Sequence, residues 1–362
     1  MKSWENCKNI LLIRMDNMGD VLMSNAAFQE IRDHFSASKI TLLTSSMAAP
    51  IVPFLGTIDE YIVFDSPWMK VSEADQPHSL LHLIEEVRSR QFDACILFNV
   101  YSQNIMAPAL LAYLAEIPLR AGYARENPYL LLTHWYPDPE PLFEIKHQIQ
   151  RDLKLLEVTG ISPTLERLPT LASVTSISGL NPAAQLSDWI SSDYTIVHLE
   201  VSEDKRKYPA SKAQVLIANL LASDHIIVFT GKEISPYLDA CIAGINDHRL
   251  IDLRGLTNIE QLLYLIAHAQ GVIAVNTSIM HIACAYHRPL LALYANTNPQ
   301  HSPWGRCQYQ FVFDIPEDQK SQNQIIAFVD RTYDPQPSKT TTPDELSVIY
   351  EDLLGPQAEG LL

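Results

Sequence analysis

Cysteine is scarce: five residues in 362, at Cys7, Cys95, Cys241, Cys284 and Cys307, with no Cys-x-x-Cys pair. An odd, widely spaced set argues against a disulfide framework and a zinc ribbon, and fits a reducing compartment. Positive charge is scarce too: 26 Lys and Arg face 42 Asp and Glu, a formal net charge of −16. Such a chain lacks the basic face that broad nucleic-acid binding needs, so no nucleic-acid partner is expected. No apolar run approaches the roughly 20 residues that span a bilayer. The polar stretch Met1 to Asn9 has no signal-peptide core. Glycine numbers only twelve, and Gly-x-Gly-x-x-Gly is missing, which disfavours a dinucleotide-dependent dehydrogenase. A cytoplasmic protein with at most peripheral membrane contact is expected, with Trp68 and Met69 as candidate exposed contacts.

What is present is an ordinary globular composition, 47% hydrophobic and 19% charged. The length favours two domains with large cores. Strand-like apolar runs at 10–13, 40–43, 61–64 and 94–98 alternate with helical patterns at 21–34, 79–90 and 105–115. A longer amphipathic helix is predicted over 145–159, ended by Gly160. The alternation then restarts, with strands at 194–199, 226–230, 249–253, 272–275 and 290–293. Helices at 212–222, 235–244, 259–269 and 278–286 lie between them. Further helices are predicted at 322–333 and 343–354. Strands alternating with helices imply βαβ units and parallel sheets. The predicted domains are 1–165 and 188–320, joined by a Pro-, Ser- and Thr-rich linker at 166–187. C-terminal helices in 321–362 are expected to pack back towards the first domain.

Ligands of doubly wound sheets bind outside the carboxyl ends of the strands. The polar motifs of this chain stand there. Arg14-Met15-Asp16-Asn17-Met18-Gly19-Asp20 follows the first strand. Gly19 permits a tight turn. Asp20 is placed to accept a proton from a hydroxyl, or simply to cap the helix. Glu203-Asp204-Lys205-Arg206-Lys207-Tyr208-Pro209 puts three cations in a row within an acidic chain. They suit a phosphate, although a solvated loop has the same composition. Val275-Asn276-Thr277-Ser278-Ile279-Met280-His281 opens a helix whose first amides, at Thr277, Ser278 and Ile279, suit an anion. Capping by Asn276 or Thr277 is the plainer alternative, and His281 is either a core residue or a ligand contact. Gly231-Lys232-Glu233 and Tyr294-Ala295-Asn296-Thr297-Asn298-Pro299 are weaker turns of the same kind.

Together and in this order, these segments resemble glycosyltransferase family 9, the lipopolysaccharide heptosyltransferases, from about Asn9 to Gly305. Asn9-Ile-Leu-Leu-Ile-Arg, Met18-Gly19-Asp20-Val21-Leu22 and Phe92 to Ile96 are similar to the family's first-domain motifs. His147 to Gly160 resembles its histidine-led helix. Arg206-Lys207-Tyr208-Pro209 resembles its basic-basic-tryptophan-proline motif, and Val275 to His281 its aspartate-threonine-glycine-x-x-histidine motif. The resemblance implies a GT-B fold: two Rossmann-like doubly wound domains facing a central cleft, acceptor in the first and sugar nucleotide in the second. It implies an inverting, metal-independent transfer with no cofactor. A nucleoside diphosphate sugar, ADP-heptose by family, is the implied donor, and a glycolipid or glycan of the cell envelope the implied acceptor. Asp20 is then the base, on an acceptor-side turn with Asn17, Met18 and Gly19. Arg206 stabilises the departing diphosphate. Lys207, Glu233, Arg254, Asn276, Thr277, Ser278, Ile279 and His281 bind the donor. This chain departs from the family pattern at Asn276, where aspartate is usual, and at Ser278, where glycine is usual. Residues 295–299 replace its glycine-proline-threonine-aspartate-proline turn. These departures keep open a hexose or deoxyhexose donor, and a non-catalytic sugar-nucleotide- or glycan-binding protein.

Overall fold

The computed structural model describes residues 3–69, 77–175, 189–201, 203–295, 299–305, 307–313, 324–333 and 341–355. The chain divides into two compact units. Unit 1 comprises Met1–Ala172 with Pro299–His301, and unit 2 comprises Ser173–Asn298 with Ser302–Leu362.

Unit 1 carries the strands β1 (Asn9–Ile13), β2 (Lys39–Thr44), β3 (Glu60–Val63), β4 (Ala94–Leu97), β5 (Leu119–Ala124) and β6 (His134–Pro137). Its helices are α1 (Met18–His34), α2 (Pro77–Ser89), α3 (Met106–Leu114) and α4 (Gln148–Leu155). The strands form one parallel sheet in the order β3-β2-β1-β4-β5-β6. Ile10, Leu11, Leu12 and Ile13 are all buried, as expected for a strand covered on both faces. Val21, Leu22, Ala26, Phe28 and Ile31 bury the inner face of α1. Chain order reverses at β1, with β2 on one side and β4 on the other. The carboxyl ends of β1 and β4 therefore flank a topological switch point, where such sheets hold ligands.

Unit 2 repeats the plan. Its strands are β7 (Tyr194–His198), β8 (Ile226–Thr230), β9 (Leu250–Asp252), β10 (Gly271–Val275), β11 (Leu290–Ala295) and β12 (Cys307–Phe313). The parallel order is β12-β11-β10-β7-β8-β9, which puts the switch point between β7 and β10. The helices are α5 (Ala210–Ala222), α6 (Pro236–Ile242), α7 (Ile259–His268), α8 (Ser278–Ala285), α9 (Gln324–Tyr333) and α10 (Pro343–Leu354).

Several expectations change. The strands β5, β6 and β12 are additional. The helix predicted over 145–159 begins after His147, whose Nδ1 accepts the Ile149 amide, and tightens to a 3-10 turn at Leu156–Thr159. Gly160 ends it with φ of 86°, a conformation that glycine adopts without strain. The last helix belongs to unit 2. Leu346, Tyr350 and Leu353 of α10 complete the core of unit 2 beside α5, because that apolar stripe is what covers the sheet there. Tyr350 and Thr195 pair their hydroxyls at 2.9 Å. Gly271 makes room for this: a Cβ there would lie 2.4 Å from the Tyr350 hydroxyl. The first part of the expected linker is docked on unit 1, where Arg167 pairs with Glu30 and Asp33, and the Ala172 amide donates to Phe54 O. Residues 176–187 of that linker lie outside the described residues. Trp68 and Met69 are half-buried against the unit 1 core, so they are not the exposed contacts expected. No described helix is long and apolar enough to cross a membrane. Cys7, Cys95, Cys241 and Cys284 are buried and form no disulfide among the described residues.

Candidate active site

In unit 1 the chain leaves β1 at Ile13 and turns into α1 through Arg14, Met15, Asp16 and Asn17. Asn17 is the N-cap residue, without a side-chain cap bond, and Asp20 is the third helical residue. The capping alternative for Asp20 is therefore overturned. Its carboxylate still gains from the positive end of the helix. Gly19 is helical and lies outside the set of positive-φ glycines, so its conformational freedom is not used in the turn. Asn17 is exposed, Met18 half-buried and Asp20 buried.

A buried cation organises the carboxylates here. Arg14 has no exposed surface. Its Nη2 donates to Asp20 Oδ1 at 3.3 Å, and its Nε lies 2.9 Å from Asp16 Oδ2. Gln103, from the loop after β4, donates to Asp16 Oδ1 across the switch point. Ser45 Oγ, after β2, donates to Asp16 O at 2.7 Å. Burial lifts the Asp16 carboxyl above the ordinary carboxylate range, against the pull of Arg14. Asp152 on α4 shares this environment. Ser24 Oγ donates to it at 2.6 Å and Gln148 Nε2 at 2.7 Å. Burial pushes its carboxyl up to about 6, with Arg14 opposing. Arg151 grips Asp138 with two bonds, 2.8 and 3.0 Å, and also pairs with Glu140. Gln300 Nε2 donates to Glu140 Oε2 at 3.1 Å. The next residue brings its imidazole Nε2 to 3.4 Å from Asp20 Oδ1.

In unit 2 two loops flank the switch point. After β7 a 3-10 turn, Asp204–Arg206, presents the basic run. Lys207 also pairs locally, 2.8 Å from Asp204 and 5.1 Å from the Tyr237 ring centroid, and keeps part of its side chain exposed. Arg206 is different. Its Nε is buried and has no hydrogen-bond partner among the described residues. A buried guanidinium nitrogen so placed calls for an acceptor. After β10 the chain enters α8. Thr277 is the N-cap residue, and its amide is used within the turn, donating to Val275 O at 2.7 Å. It is therefore not a free anion donor. The amides of Ser278 and Ile279 donate to no acceptor among the described residues. Asn276 is buried. The His281 ring is buried too, and stacks on Trp304 at 5.3 Å and 17°.

The other predicted donor contacts divide. Glu233 is exposed on the loop after β8. Gly231, two residues earlier, is closely packed, and a Cβ there would lie 2.9 Å from Leu238 Cδ1. Arg254 is structural. Its Nε and Nη2 bond Asp252 at 2.9 and 2.7 Å, and Nη1 bonds Asp239 at 2.8 Å. That leaves little of its fork for a ligand. Asn298 lies outside the described residues.

Similarity to known proteins follows the same plan. The sequence model of "Glycosyltransferase family 9 (heptosyltransferase)" matches residues 80–326, more than half of the chain. The chain belongs to glycosyltransferase family 9. As a family 9 member it is a glycosyltransferase. Lipooligosaccharide heptosyltransferase 2 of Haemophilus influenzae is 22% identical over 313 residues, covering 82% of this chain and 85% of that protein. A family 9 glycosyltransferase structure from Veillonella parvula matches with a TM-score of 0.72 at 16% identity, over 96% and 97% of the two chains. The structure of Escherichia coli ADP-heptose lipopolysaccharide heptosyltransferase II matches with a TM-score of 0.69 at 18% identity, over 96% and 98%. These likenesses fix the fold as GT-B, each unit being a Rossmann-like domain.

Sequence reasoning missed Gln103, Ser24, Asp152 and His301. Asp152 had a signal: a carboxylate one turn after Gln148 and beside Arg151, at helical spacing from Ile149, Leu155 and Leu156. His301 had none, because its partner lies 281 positions away.

Proposed function

We propose that this family 9 enzyme transfers heptose, with inversion, from ADP-heptose to a lipopolysaccharide-type glycolipid acceptor, without a metal ion. Asp20 takes the proton of the acceptor hydroxyl. That oxygen forms a bond to the anomeric carbon from the face opposite the leaving group. The bond from the anomeric carbon to the diphosphate oxygen breaks, and its electron pair departs with ADP. The protonated Asp20 then returns its proton to water. The observation that carries this reading is in unit 2, where the unpartnered Nε of Arg206 and the amides of Ser278 and Ile279 lie on the two loops of one switch point. Fixed donors of this kind stabilise charge developing on a leaving diphosphate, the task that a metal ion performs elsewhere. His281, Asn276, Glu233 and Lys207 are assigned to the donor, and Asn17 to Gly19 to the acceptor. The names of the relatives support heptose, ADP and lipopolysaccharide. The site of action proposed is the cytoplasmic face of the membrane, with peripheral contact.

The test is full-chain enzyme with ADP-heptose and a heptose-deficient glycolipid, with and without a chelator, the product anomer read by NMR. Inverted product formed equally well in chelator is expected. Retained configuration, or loss of turnover in chelator, would overturn the mechanism. A second reading keeps the mechanism and changes the donor. Asn276 is a neutral amide where the family pattern has a carboxylate, which favours a hexose or deoxyhexose with different hydroxyl geometry. Turnover across ADP-, UDP-, GDP- and dTDP-sugars separates the two.

A further inference from the structure

Asp20 is approached on one oxygen by two nitrogens from distant parts of the chain. Arg14 Nη2 lies 3.3 Å from Oδ1, and His301 Nε2 lies 3.4 Å from the same atom. The Arg14 charge is divided, because Asp16 holds its Nε at 2.9 Å. One shared cation fixes the carboxylate loosely. A second nitrogen within ion-pair distance of the same oxygen is placed to restrain its rotation about the Cβ–Cγ bond.

The segment that delivers the imidazole is anchored independently. Pro299–His301 is a short 3-10 turn counted with unit 1. Gln300 is fully buried and donates to Glu140, itself only 1% exposed. Glu140 is held by Arg151, which Asp138 holds in turn. The turn is therefore pinned to the interior of unit 1 one residue before His301. The histidine is 26% exposed and its partner 12%, so the pair lies at the rim of the buried cluster.

We infer that His301 is a positioning residue for the reaction: it holds Asp20 in the orientation that accepts the acceptor's proton. An imidazole suits this place. Its Nε2 lies within ion-pair distance of Asp20 Oδ1 without closing a hydrogen bond, and a small turn of the ring would bring its N–H onto the carboxylate, with no obligatory second charge of the kind a lysine or arginine would bring. This inference rests on the assignment of Asp20 as the base.

The experiment is a set of full-chain variants, His301→Ala, His301→Gln, Asp20→Ala and the double variant. Each is assayed for kcat and for donor KM with ADP-heptose, with thermal unfolding recorded in parallel. Misplacing a reacting group by about 1 Å costs on the order of 100-fold in rate. The expected result is that His301→Ala lowers kcat by about that factor with donor KM unchanged. His301→Gln, whose amide N–H reaches a similar point, should recover at least tenfold of the loss. Adding His301→Ala to Asp20→Ala should cost nothing more, because groups acting as a unit are not additive. An unchanged kcat in His301→Ala overturns the inference. So does failure of the glutamine to recover rate in a protein that unfolds at the wild-type temperature, or a further loss in the double variant. If Asp20→Ala itself turns over normally, the base assignment has failed, a result distinct from any outcome at position 301.

Discussion

Replacing Asp152 by Asn should stabilise this enzyme above neutral pH and leave it unchanged in acid. Asp152 is 1% exposed, and burial raises its carboxyl from 3.8 to about 6. A folded-state pKa above the unfolded value means that the native state holds the proton more tightly. The stability contributed by the neutral carboxyl is therefore fully present below pH 3.8, and is lost as the pH rises through about 6. A rise of that size costs the charged form about 3 kcal/mol, at about 1.4 kcal/mol for each pH unit. Asn resembles the neutral acid. Its oxygen can still accept from Gln148 Nε2, and its amide can donate to Ser24 Oγ, which also donates to Asp20 O at 3.1 Å. Urea unfolding of wild type and D152N at pH 4 and pH 7.5 checks this. The variant should match wild type at pH 4 and exceed it by about 2–3 kcal/mol at pH 7.5. A D152N protein less stable than wild type at pH 7.5 would refute the reasoning. It would mean that attraction to Arg14 outweighs the desolvation of the carboxylate.

Three further outcomes are expected. Arg206→Ala should lower kcat/KM by about 10² to 10³, the size of effect typical of losing one preorganised donor to developing charge, with Arg206→Lys intermediate. Steady-state kinetics with ADP-heptose checks this, and an alanine variant within threefold of wild type would remove Arg206 from the site. Gly271→Ala should destabilise unit 2 by at least 1–3 kcal/mol, since its Cβ would press on Tyr350 at 2.4 Å. Limited proteolysis should then cut near α10 first. Arg254→Met should lower the melting temperature while leaving ADP affinity within about threefold, because its guanidinium is committed to Asp252 and Asp239. Calorimetric titration with ADP checks the second half.

The central strands were legible because they are buried on both faces: Ile10 to Ile13 and Val272 to Val275 leave an unbroken apolar run. The site motifs were legible because each stands directly after such a run. The edges of the sheets were not. The strand β5 contains Arg120, which nothing local marks as strand. Its guanidinium bonds the carbonyls of Leu131 at 2.8 Å and Leu130 at 2.6 Å, contacts set by tertiary folding. Gly122 in the same strand interrupts the apolar pattern, although a Cβ there would press on Ile105 at 3.3 Å. The strand β6 ends in Pro137, which edge positions tolerate and which reads as punctuation. In the candidate site, sequence placed Asp20 at the start of the right helix. It could not show that Arg14, one strand-end earlier, is the buried cation holding two aspartates. Nor could it separate Arg206, with its unpartnered Nε, from Arg254, whose fork is filled by carboxylates. Both differences depend on partners brought together by the fold.

The claim that Asp20 is the proton acceptor is tested most directly by Asp20→Asn, assayed by ADP release from ADP-heptose and by calorimetric ADP binding on the same preparation. The substitution keeps the shape and an oxygen for Arg14, and removes only the basicity. Turnover should fall by about 10² to 10⁴, the usual contribution of a general base, with ADP affinity unchanged within about threefold. Turnover within tenfold of wild type would contradict the assignment.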